Sequence, residues 1–313
     1  MRIHQLYILV ILVTIMCTLT GCFTGVESTK RITVKDVEKT VGIKEPNINT
    51  DLNVTLPDSF PMWANGKCFY ITDHNVRKIF LENSNYELDS LLKVGDVLKY
   101  KGYFKEKYLD NEEKVNIRLT DGLNDFIYPT GKTLDEIAKI KNGLTIPFLI
   151  DLDMVQAYKK AMSGMEYFIK TPLWYNSEME SISGRKFVQV RIEDVVPGNS
   201  VFPLKLSFVT SEGSRAYLMM SPIRNSLQNR VFDDLFSIKD IRKNYPTVTD
   251  KNWDLIVKGE VALEMTKDEC RLSLGAPKSI ETIPTYGGLQ EFWYYGDGTY
   301  LRFLDGILRK FRK

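Results

Sequence analysis

Histidine is almost missing from this chain. Of its 313 residues two are histidine, His4 and His74, too few for the two-histidine metal motifs and a poor start for a histidine-based catalytic triad. Gly-x-Ser-x-Gly, a phosphate-binding loop and a dinucleotide fingerprint are absent as well. Of four cysteines only Cys68 and Cys270 lie beyond residue 22, and two are too few for a disulfide framework. After residue 21 no long apolar run recurs, so nothing there reads as a membrane-spanning helix. Charge of one sign is lacking too, with 42 basic residues against 40 acidic. That balance implies neither nucleic acid nor an anionic surface as partner.

What is present begins with a leader. Arg2 precedes an almost wholly apolar stretch, Leu6 to Leu19, which ends in Leu19-Thr20-Gly21-Cys22. At 1.5 Å per residue, residues 6–21 span about 24 Å, short of a hydrocarbon core of about 30 Å. The order charged, apolar, small, cysteine resembles the lipobox of bacterial lipoproteins. The resemblance implies a signal peptide at 1–21, lipid on Cys22 and a membrane anchor of acyl chains rather than helix. Phe23 stands where aspartate would favour inner-membrane retention. By the same resemblance the expected location is the outer membrane facing the periplasm, or the cell surface in a single-membraned cell. Removing 1–21 takes away Arg2 and no acid, leaving 41 basic residues against 40 acidic. Cys17 leaves with the leader, and Cys68 and Cys270 are expected as buried free thiols, the alternative being a bridge between them in an export route that permits disulfides.

The mature chain of 292 residues, 313 less 21, is long enough for two or three domains. Residues 22–60 read as a tether and lead-in segment. From 61 to about 222 hydrophobic residues alternate, as in Val115-Ile117-Leu119, Val188-Val190-Ile192 and Leu204-Leu206-Phe208, the pattern of half-buried strands. The block repeats itself. Gly66-Lys67-Cys68-Phe69-Tyr70-Ile71 has a counterpart in Gly164-Met165-Glu166-Tyr167-Phe168-Ile169, and the strand, turn and strand of 115–129 one in 204–222. Two small antiparallel SH3-like β-barrel domains, 61–150 and 151–225, are expected. Helical spacing at Leu134, Ile137 and Ile140, and over Asp153 to Met162, predicts helix across much of 133–163.

In 226–313 the pattern changes to helices, over Asp233–Tyr245 and around Trp253, Ile256 and Val257, with a third begun by the capping box Thr266-Lys267-Asp268-Glu269 and stopped at Gly275. Three strands follow, turning at Asp297-Gly298 and Asp305-Gly306. The run Gly259 to Thr266, then Glu269, Leu274-Gly275-Ala276-Pro277, Trp293-Tyr294-Tyr295, Phe303 and Gly306-Ile307-Leu308 resembles the SmpA/OmlA (BamE-like) family. Glu264 departs from it, standing where the family usually has glycine. The similarity covers about the last 65 residues and implies a helix-helix-β-meander α+β domain. It carries over no functional residue and no contact with a barrel-assembly machine, leaving a multidomain β-rich α+β chain.

For chemistry, Cys68 and His74 could pair thiol with base across a turn, but a core cysteine beside a loop histidine is the simpler reading. The acid pairs Asp151 with Asp153, Glu112 with Glu113 and Asp233 with Asp234 read as solvated or helix-starting residues. Aromatic clusters give the only hint of a binding surface: Trp174 with Tyr175, and Phe292 with Tyr294, which alternation places on one face while Trp293 and Tyr295 take the other. No catalytic residue, metal ligand or cofactor is assigned. The expected function is a non-enzymatic envelope lipoprotein acting through contacts with an envelope protein as a scaffold or outer-membrane assembly or maintenance accessory. The alternative is a glycan- or small-ligand-binding lipoprotein, and a hydrolase using Cys68 or an acid pair is the third reading.

Overall fold

The computed structural model describes residues 32–33, 52–81, 91–107, 111–224 and 230–313. The expected leader, Cys22 and most of the expected tether lie outside the described residues. The chain is a β-rich α+β protein with several antiparallel sheets, one of them curled into a half-barrel. Its contacts divide it into two compact units. One runs from Ile43 to Gly275, and the other holds β1 (Ile32–Thr33) and Ala276–Lys313. The division falls inside the segment 226–313 that the sequence reads as one domain. No helix among the described residues is long and apolar enough to cross a membrane.

In the larger unit the first sheet is built from β2 (Cys68–Ile71), β3 (Val97–Lys107), β4 (Glu113–Thr120) and β5 (Asp125–Pro129). Helix α1 (Leu134–Ala138) follows, and β6 (Leu149–Asp151) completes the order β6-β2-β3-β4-β5. Alternation drives this sheet together: Val115, Ile117 and Leu119 of β4 are fully buried with Phe69, Ile71 and Leu98. Each such side chain contributes about 1.5–3 kcal/mol relative to exposure.

Helix α2 (Leu152–Met162) leads to the second sheet: β7 (Glu166–Ile169), the hairpin β8 (Leu173–Tyr175) and β9 (Ser181–Ser183), β10 (Gln189–Pro197), β11 (Leu204–Thr210) and β12 (Arg215–Met220). After α3 (Phe232–Leu235) comes β13 (Phe236–Ser237). The order β13-β7-β10-β11-β12 reproduces that of the first sheet strand for strand, including a short last strand that returns beside the first. Even the bulges correspond, at Tyr100/Gly102 in β3 and at Ile192/Asp194 in β10. The repeat read from the sequence is therefore a repeat of topology, with the β8–β9 hairpin added in the second copy.

Two helical expectations are corrected. Within 133–163 helix forms as α1 and, as expected over Asp153 to Met162, as α2, but not between them: Gly143 and Phe148 take left-handed backbone, Pro147 cannot continue a helix, and β6 forms there instead. Within 233–245 the chain leaves helix after Leu235, since Phe236 and Ser237 pair with Ile169 and Phe168 of β7. Helix α4 (Asp250–Lys258) buries Trp253 and Ile256. Helix α5 (Lys267–Leu274) opens on the complete Thr266/Glu269 capping box and ends at Gly275, as the sequence indicates.

The smaller unit is a five-stranded sheet, β1-β14-β15-β16-β17, with β14 (Ser279–Thr285), β15 (Gly288–Tyr294), β16 (Tyr300–Leu304) and β17 (Ile307–Arg312). Asp305 and Gly306, with φ of 49° and 82°, make the two-residue turn between β16 and β17, whose left-handed backbone suits the twist of a hairpin. Strands β1 and β14 are additional to the expected meander. Pro284 interrupts the alternation that would have marked β14.

Candidate functional site

Strand β6 stands between the two hydrophobic cores of the larger unit. Ile150 points into the core of the second sheet, while Phe148 and Leu149 pack on that of the first. Where these cores meet, a cleft of about 310 Å³ opens. Trp63 and Phe69 contribute aromatic surface, and the loop Asn142–Phe148 and β6 form one wall. Ser200, Pro203, Pro222 and Ile223 come from the second sheet's connections, and Leu56 to Ser59 from the lead-in segment. Because β6 is the last strand of its sheet, its outer edge has no strand partner among the described residues, and the Leu149 N–H bonds instead to the Ile146 carbonyl at 3.2 Å.

The wall is held in an uncommon shape. Phe148 has a φ of 63°, a left-handed conformation that costs a bulky residue of the order of 1–3 kcal/mol. Thr72 offsets that cost, since its backbone N–H and its Oγ1 both donate to the Phe148 carbonyl at 2.9 Å.

Beside the cleft lies an ion triad centred on a buried lysine. The Lys67 side chain is 3% exposed, and its ammonium sits 2.8 Å from Asp151 Oδ1 and 2.7 Å from Asp153 Oδ2. A buried ammonium is tolerable only with such partners. Asp151 also caps α2, its Oδ1 accepting from the N–H groups of Asp153 at 2.9 Å and Met154 at 3.4 Å. Every contact of this carboxylate thus falls on Oδ1, and Oδ2 accepts nothing among the described residues. Asp151 lines the cleft and is 24% exposed in its side chain. Among the described residues Asp58 is the other ionisable lining residue, and no lysine or arginine lines the cleft. The arrangement accepts apolar surface with a cation or hydrogen-bond donor and repels anions.

The sequence pointed elsewhere. Trp174 is 6% exposed, its ring edge-on to Phe208 at 5.0 Å and its Nε1–H donating to the Thr171 carbonyl at 2.9 Å. It is a core residue and offers no binding face, because β8 turns it inward. Tyr175 is half-buried, with the Arg230 guanidinium 5.9 Å from its ring. Phe292 is half-buried and Tyr294 37% exposed, while Trp293 is 1% exposed, so alternation resolves with Trp293 inward and Phe292 and Tyr294 outward. Asp151 and Asp153 are joined by Lys67, while Asp153 stays solvated, its side chain 55% exposed.

Cys68 and Cys270 are free thiols, Cys270 buried as expected and Cys68, contrary to expectation, partly exposed at the start of β2. Cys68 Sγ donates to the Gly66 carbonyl at 3.3 Å, His74 is exposed, and no hydrogen bond joins the two among the described residues. Among the described residues no cluster of three or more His, Cys, Asp or Glu is placed to hold a metal ion. Lys67 went unnoticed in the sequence, although one signal marked it: its repeat counterpart is Met165, so a charge stands where the second copy has an apolar residue. A second buried lysine, Lys186, donates to the carbonyls of Leu272 and Ser273 at the end of α5. Its ammonium complements the negative end of that helix, and burial pushes it down to about 8.

The chain matches no family model, no curated protein and no solved structure. The geometry of the cleft is therefore the basis for function.

Proposed function

We infer that this is a non-enzymatic lipoprotein, anchored by acyl chains on Cys22 to the outer membrane and facing the periplasm, that works by gripping a segment of an envelope protein partner in the cleft at β6. The observation that carries the reading is the coincidence, in one cleft and among the described residues, of a strand edge with no strand partner, an apolar aromatic surface and a carboxylate oxygen that accepts no hydrogen bond. An extended peptide satisfies all three. Its backbone can add to an edge strand, an apolar side chain can fill the space over Trp63 and Phe69, and a lysine or arginine can reach Asp151 Oδ2. A space of about 310 Å³ is at the small end of ligand sites, the size for one or two anchoring side chains. The duplicated sheets are read as two SH3-like modules. The order α4, α5 and meander, with its capping box, supports the SmpA/OmlA-like reading of the C-terminal segment.

The test is selection from a random peptide display library on the immobilised mature protein. Apolar segments carrying one lysine or arginine should be enriched, and Ser200→Trp, which places an indole among the cleft's exposed lining residues, should abolish the enrichment. Selection of acidic peptides, or enrichment untouched by Ser200→Trp, defeats the reading. The anchor is tested separately: Cys22→Ser should lose labelling by a fatty-acid analogue in cells, while Cys68→Ser and Cys270→Ser keep it.

A further inference from the structure

A different surface lies on the smaller unit. Antiparallel register places directly opposed residues on the same face of a sheet. One cross-strand row of the outer face reads Arg312, Tyr300, Tyr294, Ser279, and the next reads Lys310, Arg302, Phe292, Glu281. The opposite face carries Ile280, Trp293 and Leu301, all buried. The outer face therefore interleaves three cations with three aromatic rings and one carboxylate, Glu281, which accepts from the Tyr294 hydroxyl at 3.4 Å and leaves the face a net excess of two positive charges. The net charge of the whole chain conceals this, because the excess is local.

Arg302 stands directly opposite Lys310. A like-charge pair in that position destabilises a sheet, and neither residue forms an ion pair among the described residues, nor does Arg312. A fold that keeps such a pair on an exposed face has a place for a bound anion. The rings are arranged for stacking rather than for insertion: Phe292 and Tyr300 are half-buried against their neighbours, and the Arg312 guanidinium lies 5.7 Å from the Tyr300 centroid. Flat rings flanked by guanidinium and ammonium groups match a polymer of sugar rings that bears carboxylate, sulfate or phosphate groups.

We propose that the outer face of β14–β17 binds an acidic polysaccharide, its anionic groups on Arg302, Lys310 and Arg312 and its sugar rings on Tyr294 and Tyr300. The proposal rests on the export reading only in preferring a glycan to a nucleic acid, and acylation of Cys22 is measured independently.

Affinity electrophoresis of the full mature chain carrying Cys22→Ser, so that no acyl chain contributes, compares gels containing dextran and dextran sulfate. Retardation should occur in dextran sulfate alone. Lys310→Gln with Arg312→Gln should weaken it about tenfold, and Tyr294→Ser about fivefold. Lys310→Gln alone should leave the melting temperature unchanged or raise it while weakening binding, which a purely structural lysine would not do. Retardation in neutral dextran, none in either gel, or none of these variants changing it would overturn the proposal. So would displacement of dextran sulfate by lower concentrations of a single-stranded oligonucleotide or of phosphatidylglycerol vesicles.

Discussion

The ammonium of Lys67 and the carboxylate of Asp153 meet at 2.7 Å across 86 residues of sequence. Together with Asp151 they fasten the start of the first sheet to the first turn of α2. Lys67→Met leaves Asp151 partly buried and without its cation, so it should cost about 1–3 kcal/mol, below the value for fully buried pairs because both acids reach solvent. Urea unfolding of Lys67→Met, Asp153→Asn and the double variant should show the double costing less than the sum of the singles. Simple additivity would mean the pair is not coupled.

Trp174 and Gly184 make a second such contact. A Cβ on Gly184 would run into the indole ring, so Gly184→Ala should cost about 1–3 kcal/mol by forcing that ring from its place against Phe208. Trp174→Ala should cost about 3–5 kcal/mol. Thermal unfolding of both variants checks the order, and a neutral Gly184→Ala would contradict the packing.

How much of this was legible in the sequence depends on the range of the interaction. Strands and helix caps set by neighbouring residues could be read: Val115-Ile117-Leu119, the Thr266/Glu269 box, and the alternation that puts Trp293 and Tyr294 on opposite faces, though not which of them turns inward. The repeat could be read as well, because topology follows the order of such patterns. Strands β6 and β13 were hidden inside helical spacing, since three and two residues carry no period of their own and form only by pairing with β2 and β7. The cleft was hidden for the same reason. Phe69, Asp151, Ser200 and Ile223 come from four separated stretches of chain, and only Lys67, out of pattern with Met165, gave any local sign of it.

The two thiols should differ in reactivity. Cys270 is fully buried, and burial, with Glu269 beside it, pushes its thiol up to about 12. At about pH 8 its thiolate is then roughly one part in ten thousand even before access is considered. Cys68 is partly exposed. Iodoacetamide on the native protein, read by peptide mass, should modify Cys68 and leave Cys270 until denaturant is added. Equal native labelling would show that α5 opens readily.

Lys186 should make stability rise with alkaline pH. Its folded value is about 8 against 10.5 for an ordinary lysine, lowered by burial. Below about pH 8 both folded and unfolded chains hold the proton, and this residue adds no slope. Between about 8 and 10.5 the unfolded chain keeps a proton that the folded chain has released, so unfolding takes up a proton and is disfavoured as pH rises, by at most about 1.4 kcal/mol per unit. Burial also pushes Tyr128 and Tyr158 above their usual range. Those phenols act in the opposite sense, holding a proton in the folded chain that the unfolded chain loses above about pH 10. Measurements are therefore best made below that point, with Lys186→Met as reference, since it has every other titrating group. From about pH 7.5 to about pH 9.5 the urea-derived stability of the wild type should gain up to about 2 kcal/mol on the variant. A constant gap would mean that the carbonyls of Leu272 and Ser273 hold the ammonium charged throughout.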